Sequence, residues 1–149
     1  MKSSSIIGGC LPAAALCLQM TTAAAAESSV TRLYTDAQGV THFREETIPF
    51  NPVAGAGREA LSLHPVRGAS GVTLLRLRAG AEEDWHTAPQ RQFVIAIEGL
   101  VEVEASDGSR RVFVPGQIML MDDTTGKGHI TRSIGKSDHV AVMIPVADY

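Results

Sequence analysis

Two histidines stand where an imidazole could do chemistry. His86 follows Asp84 and Trp85, and Arg91 and Gln92 come shortly after it. His129 closes the stretch DDTTGKGH, which begins at Asp122. Imidazole titrates near neutral pH, so it serves as a general acid or base, and in its neutral form it ligates divalent transition metals. The Gly-Lys-Gly before His129 also raises the question of a phosphate-cradling loop. Such a loop needs a Gly separated by four residues from its Gly-Lys pair and a Ser or Thr after the Lys to hold magnesium. Here those positions are Met121 and Gly128, and no helix-forming stretch follows to receive a phosphate at its N-terminus. The stretch is therefore read as a tight turn with Gly126 and Gly128 at positive φ, delivering His129.

The elements that must position these residues are strands. No helical period is sustained anywhere; short β-branched runs, many of them alternating, are separated by turn residues. VTRLYT and VTHFREETI flank a hairpin turn at residues 36–39, where Gly39 accepts positive φ. The Gly- and Pro-rich residues 51–59 read as a loop. GVTLLRLRAG alternates Leu75 and Leu77 with Arg76 and Arg78, and LVEVEASDG alternates Val101 and Val103 with Glu102 and Glu104. QFVIAIEG is almost wholly apolar, as for a strand buried on both faces. SRRVFVPG, QIMLMD, HITRSIG and HVAVMIPV complete about nine expected strands. Strands at this spacing imply an all-β sandwich or closed barrel, since closure removes exposed edges.

Composition narrows the setting. The first residues carry Lys2, an apolar stretch over residues 6–18 and a small-residue run ending at Ala26. That is the three-part pattern of a secretory signal peptide over residues 1–26, too short and interrupted to hold a stable membrane span. Its removal takes both cysteines with it and implies an exported protein, periplasmic or extracellular, held together by packing alone. The chain is mildly acidic, with a formal charge of −3 and no basic cluster beyond Arg110 and Arg111, so nucleic acid is excluded as a partner. Ser/His/Asp catalysis has no nucleophile motif here. His42 and His64 read as surface or strand-end residues, His139 has no pattern to recommend it, and Met119 and Met121 read as core or flexible pocket lining.

The stretch from Gly80 to Gly99 resembles the first motif of the cupin superfamily, small double-stranded β-barrels of jelly-roll type. Gly80, His86, Gln92 and Gly99 fall in that motif's spacing, while Ala88 replaces its second His and Gln92 its Glu. The stretch from Gly116 resembles the second motif, with Asp122 at the usual Pro position and His129 arriving two residues late. The likeness implies a cupin barrel over residues 70–149, with residues 27–69 packing on it as strands and a loop. It further implies a pocket for a small polar or carboxylated molecule and pairing into a homodimer. In that frame His86, Gln92 and His129 would face one pocket and could hold one divalent ion (Fe, Mn, Zn, Ni or Cu). Without a metal, His86 or His129 would act as acid or base, Asp84 or Asp122 would orient the ring, and Gln92 would bond a carbonyl. Trp85 would wall the pocket and Arg91 would bind a carboxylate. The superfamily spans enzymes and non-catalytic binding proteins, so a metal-assisted oxygenase, an isomerase or lyase, and a ligand-binding or sensing protein all remain open.

Overall fold

The computed structural model describes residues 28–55 and 61–147; the expected leader, with Cys10 and Cys17, lies outside them. The described secondary structure is all strand. One sheet has six strands in the order β2 (Thr41–Thr47), β1 (Ser29–Thr35), β10 (Ile118–Asp122), β7 (Gln92–Glu98), β12 (His139–Pro145) and β5 (Thr73–Leu77). The other has four, in the order β6 (Glu82–His86), β11 (His129–Ile134), β8 (Leu100–Ala105) and β9 (Arg110–Phe113). A short pair, β3 (Asn51–Pro52) with β4 (Ser62–Leu63), stands apart. The expected closure thus takes the form of two sheets around a common core, the jelly-roll arrangement.

All nine strands read from the sequence are present. The expected loop over residues 51–59 contributes Asn51 and Pro52 to the small β3–β4 pair, and residues 56–60 lie outside the described chain. β6 was not among the nine. Its first four residues, Glu82 to Trp85, are exposed, so no apolar alternation marks it. It is an edge strand, and its acidic residues suit an edge that must not pair with other chains.

Alternation decides which side chains meet between the sheets. Val101, Val103 and Ala105 of β8 point inward, and Glu102 and Glu104 outward, as their pattern implies. Arg132 on β11 gathers Glu82, Glu102 and Glu104 of the neighbouring strands on that outer face. Inside, Leu33, Val94, Val101, Val103, Phe113, Met119, Met121 and Ala141 form the main core. β7 is buried on both faces over much of its length because a second cluster covers its other side. There Val30, Phe93, Leu120 and Val146 pack together with Ile48 and Ile144. The described residues ahead of residue 70 contribute to both layers of the six-stranded sheet. β1 pairs in parallel with β10 as part of the six-stranded sheet, and Ile48, Phe50 and Val66 line a cavity over its outer face.

Candidate active site

β11 pairs antiparallel with β6, and the register sets His129 directly opposite His86. Their ring centroids are 4.3 Å apart and tilted by 56°. This approach requires Gly128. Its φ is +75°, and a Cβ there would collide with the His86 carbonyl. Gly126, at φ +80°, is equally crowded by the Gly39 carbonyl. The turn read from DDTTGKGH is thus found with both glycines in the left-handed region. It is fastened to the β1–β2 hairpin: the Lys127 N–H donates to the Gly39 carbonyl (2.9 Å), and the Thr35 and Thr41 hydroxyls donate to the Thr125 and Gly128 carbonyls (2.8 and 2.7 Å).

His129 is 2% exposed and its Nδ1 lies 2.6 Å from Oδ2 of Asp123, which is fully buried. A carboxylate accepts, so Nδ1 carries the proton and the Nε2 lone pair is left bare. The other Asp123 oxygen, Oδ1, has no hydrogen-bond partner among the described residues. His86 sits nearer solvent. Its Nδ1 donates to the Asp84 carbonyl at 2.7 Å, which again leaves Nε2 bare, with Glu83 Oε2 3.8 Å away. Between His86 and Glu83 the β6–β11 register shifts, and this irregularity places Glu83 on the same cavity as His86.

The cavity between the sheets has a volume of about 240 Å³. Glu83, His86, Gln92, His129 and Thr131 line one part of it, His139 lies at the other end of the β7–β12 pair from Gln92, and the walls are Leu75, Val94, Val101, Val103, Met119, Met121 and Met143 among others. His139 is buried and donates through Nδ1 to the Glu98 carbonyl (3.2 Å). Burial, partly offset by that bond, holds its pKa below the ordinary 6.5, so it lines the cavity as a neutral ring.

Of the residues proposed from sequence, His86, Gln92 and His129 are brought together at this cavity. Three others are not. Asp122 faces the opposite side of β10 and is held there by Arg32 and Arg91. Arg91 is therefore engaged by a protein carboxylate and does not line the cavity. Trp85 alternates with His86, so it points outward and is 46% exposed. The ring-orienting role expected of Asp84 or Asp122 belongs to Asp123 for His129 and to the Asp84 backbone carbonyl for His86. Asp123 had a signal in the sequence: Met119 and Met121 share a face with it at a strand's period of two. His139 likewise shares a face with Ala141 and Met143. Glu83 had none, because only the register shift brings its half-exposed side chain to the cavity rim.

Two facing sheets, with one histidine from each of two paired strands set over a cavity between them, complete the frame that the Gly80 and Gly116 stretches implied. The fold is a two-sheet jelly roll, as those stretches implied. Its strand arrangement is similar to that of a cupin domain from Bordetella pertussis (20% identity, 56% of this chain and 97% of that one, TM-score 0.43). It is also similar to an RmlC-like cupin protein from Desulfovibrio desulfuricans (13%, 85% and 92%, TM-score 0.39) and to the Cnp3 cupin domain of Schizosaccharomyces pombe (14%, 81% and 84%, TM-score 0.42). No family model matches the chain, and no curated protein does. What this fold does is decided by its own site residues.

Proposed function

We propose that this protein is a cupin and a small-molecule enzyme that moves protons, of isomerase or lyase type, with His129 as general base and His86 as its acid partner. The observation that carries this is the buried Asp123–His129 pair opening onto the cavity beside His86. Asp123 fixes the tautomer in which His129 Nε2 can accept a proton, and its negative charge stabilises the imidazolium that results. Both Nε2 atoms are bare at rest, so His86 acts as the acid only after its Nε2 has taken up the proton that His129 removed, and it then returns that proton to the substrate. Gln92 is in place to bond a substrate carbonyl or hydroxyl.

The residues fit a divalent metal poorly. Besides the two bare Nε2 atoms of His86 and His129, their end of the cavity offers a metal only the neutral amide of Gln92 and the half-exposed Glu83 carboxylate, 3.8 Å from His86 Nε2. Among the described residues no group of three or more His, Cys, Asp or Glu is assembled to hold an ion. No step is therefore assigned to a metal.

The test is deuterium exchange from D2O into a panel of small carbonyl and hydroxyl compounds, with His129→Ala and His86→Ala as controls. Exchange that disappears in both variants is the expected result. Exchange unchanged in both would remove the catalytic reading and leave a ligand-binding cupin, which the apolar walls also favour. Stoichiometric metal in the purified protein, lost in both variants, would replace the metal-free reading. We further propose that the protein is exported after cleavage ahead of Glu27 and pairs as a homodimer. N-terminal sequencing of the secreted form and its mass in solution test these two points.

A further inference from the structure

We infer that the cavity takes an uncharged molecule about one ring in size and rejects carboxylates; this rests on reading the cavity as the substrate site. None of the residues lining it is a Lys or Arg, while Glu83 contributes a carboxylate at the histidine end. The arginines that might have reached a substrate are already held elsewhere. Asp122 holds Arg32 and Arg91 on the other face of β10, and Arg132 is gathered by three glutamates outside the four-stranded sheet. A carboxylate entering would lose its hydration without gaining a fixed cation, a penalty that an alcohol or ketone largely escapes. Protonation of the histidines does not reverse this. A charge on His129 is offset by Asp123 at 2.6 Å, and one on His86 by Glu83 at 3.8 Å.

Size and wall chemistry point the same way. The volume of about 240 Å³ falls below the roughly 300–1,000 Å³ of sites for drug-sized ligands. It exceeds the roughly 150 Å³ in which an apolar protein cavity holds benzene. The thioethers of Met119, Met121 and Met143 adapt to a ring and make favourable contacts with its edge. The polar groups at the Gln92 end then suit one head, a hydroxyl or carbonyl placed between His129 and Gln92.

Benzyl alcohol and benzoate, which share a ring and differ in charge, are suitable probes. Binding would be measured by calorimetry and by the ring resonances of His86 and His129 in NMR, for the wild type and Glu83→Lys. We expect the alcohol to bind at least about tenfold tighter than benzoate, and Glu83→Lys to narrow that gap by strengthening benzoate. Benzoate binding as tightly as the alcohol in the wild type, with both histidine resonances shifting, would overturn the charge selection and leave the site reading intact. An unchanged gap in Glu83→Lys would overturn the electrostatic argument. If neither probe shifts those resonances up to its solubility limit, the site reading fails and the inference with it.

Discussion

At the scale of single residues, the decisive pair is Asp123 and His129. The sequence offers two adjacent aspartates, and only one can face inward because β10 alternates. Asp122 joins Arg32 and Arg91 outside, and Asp123 takes the His129 ring inside. Asp123→Asn separates positioning from mere stability. An amide that donates to Nδ1 moves the histidine proton to Nε2 and removes the base. We expect exchange activity to fall about 10²–10⁴-fold, with nitrogen NMR reporting the Nε2–H tautomer. A purely structural role would lower the melting temperature and leave the tautomer unchanged. Two histidines at matching motif positions made His86 and His129 legible in the sequence. Asp123 was legible only through strand alternation, and Glu83 was not legible at all.

At the scale of elements, the 123–128 turn is the piece on which the site depends. Gly128 meets both demands that exclude a side chain, a φ of +75° and close backbone approach to His86. Gly128→Ala is expected to push β11 away from β6, lowering stability by about 1–3 kcal/mol and weakening ligand binding together. Chemical denaturation and calorimetry on one preparation check both effects. The hairpin that fastens this turn has its own lock. His42 bridges Asp36 in the β1–β2 turn (Nε2, 2.9 Å) and Asp107 in the β8–β9 turn (Nδ1, 2.8 Å). Its bond to Asp36, and then that to Asp107, hold its pKa above the ordinary 6.5, despite some desolvation. Stability from this bridge is complete below pH 6.5 and is lost as the pH rises through the raised folded value. The gap in melting temperature between wild type and His42→Gln should therefore narrow from about pH 6 to about pH 9. A gap that widens over that range would contradict the assignment. Sequence alone placed His42 at a strand end and could not see its two partners, because Asp107 arrives from a different hairpin.

At the scale of the whole molecule, two apolar layers share the six-stranded sheet. The main core lies between the sheets and carries the cavity, while Val30, Phe93, Leu120 and Val146 fill the outer face. Leu120 is fully buried in that outer layer, away from the histidines. Leu120→Ala should cost about 2–5 kcal/mol of stability in denaturant unfolding. It should leave probe binding at the cavity within a few-fold of wild type at temperatures where the variant is folded. Equal loss of both would mean that the two layers act as one. The almost wholly apolar QFVIAIEG stretch announced a strand buried twice over. It could not say that the cover comes from residues ahead of residue 70.

What the sequence by itself determined is the local part: strands where β-branched and apolar residues alternate, turns where glycine is required, and two histidines in a spaced frame. These follow from backbone sterics and from side chains alternating across a pleated strand, and both act over a few residues. What only the tertiary structure decided is which distant groups meet. The β6–β11 register brings His86 to His129, its shift brings Glu83 to the cavity rim, and pairing of β1 with β10 lets Arg32 bind Asp122, which in turn holds Arg91. Those outcomes depend on pairing between strands far apart in the chain, where a register change of one residue reverses every side chain. The same pairing left no Lys or Arg in the cavity lining, and of the polar or carboxylated molecule expected from sequence we propose the uncharged polar kind.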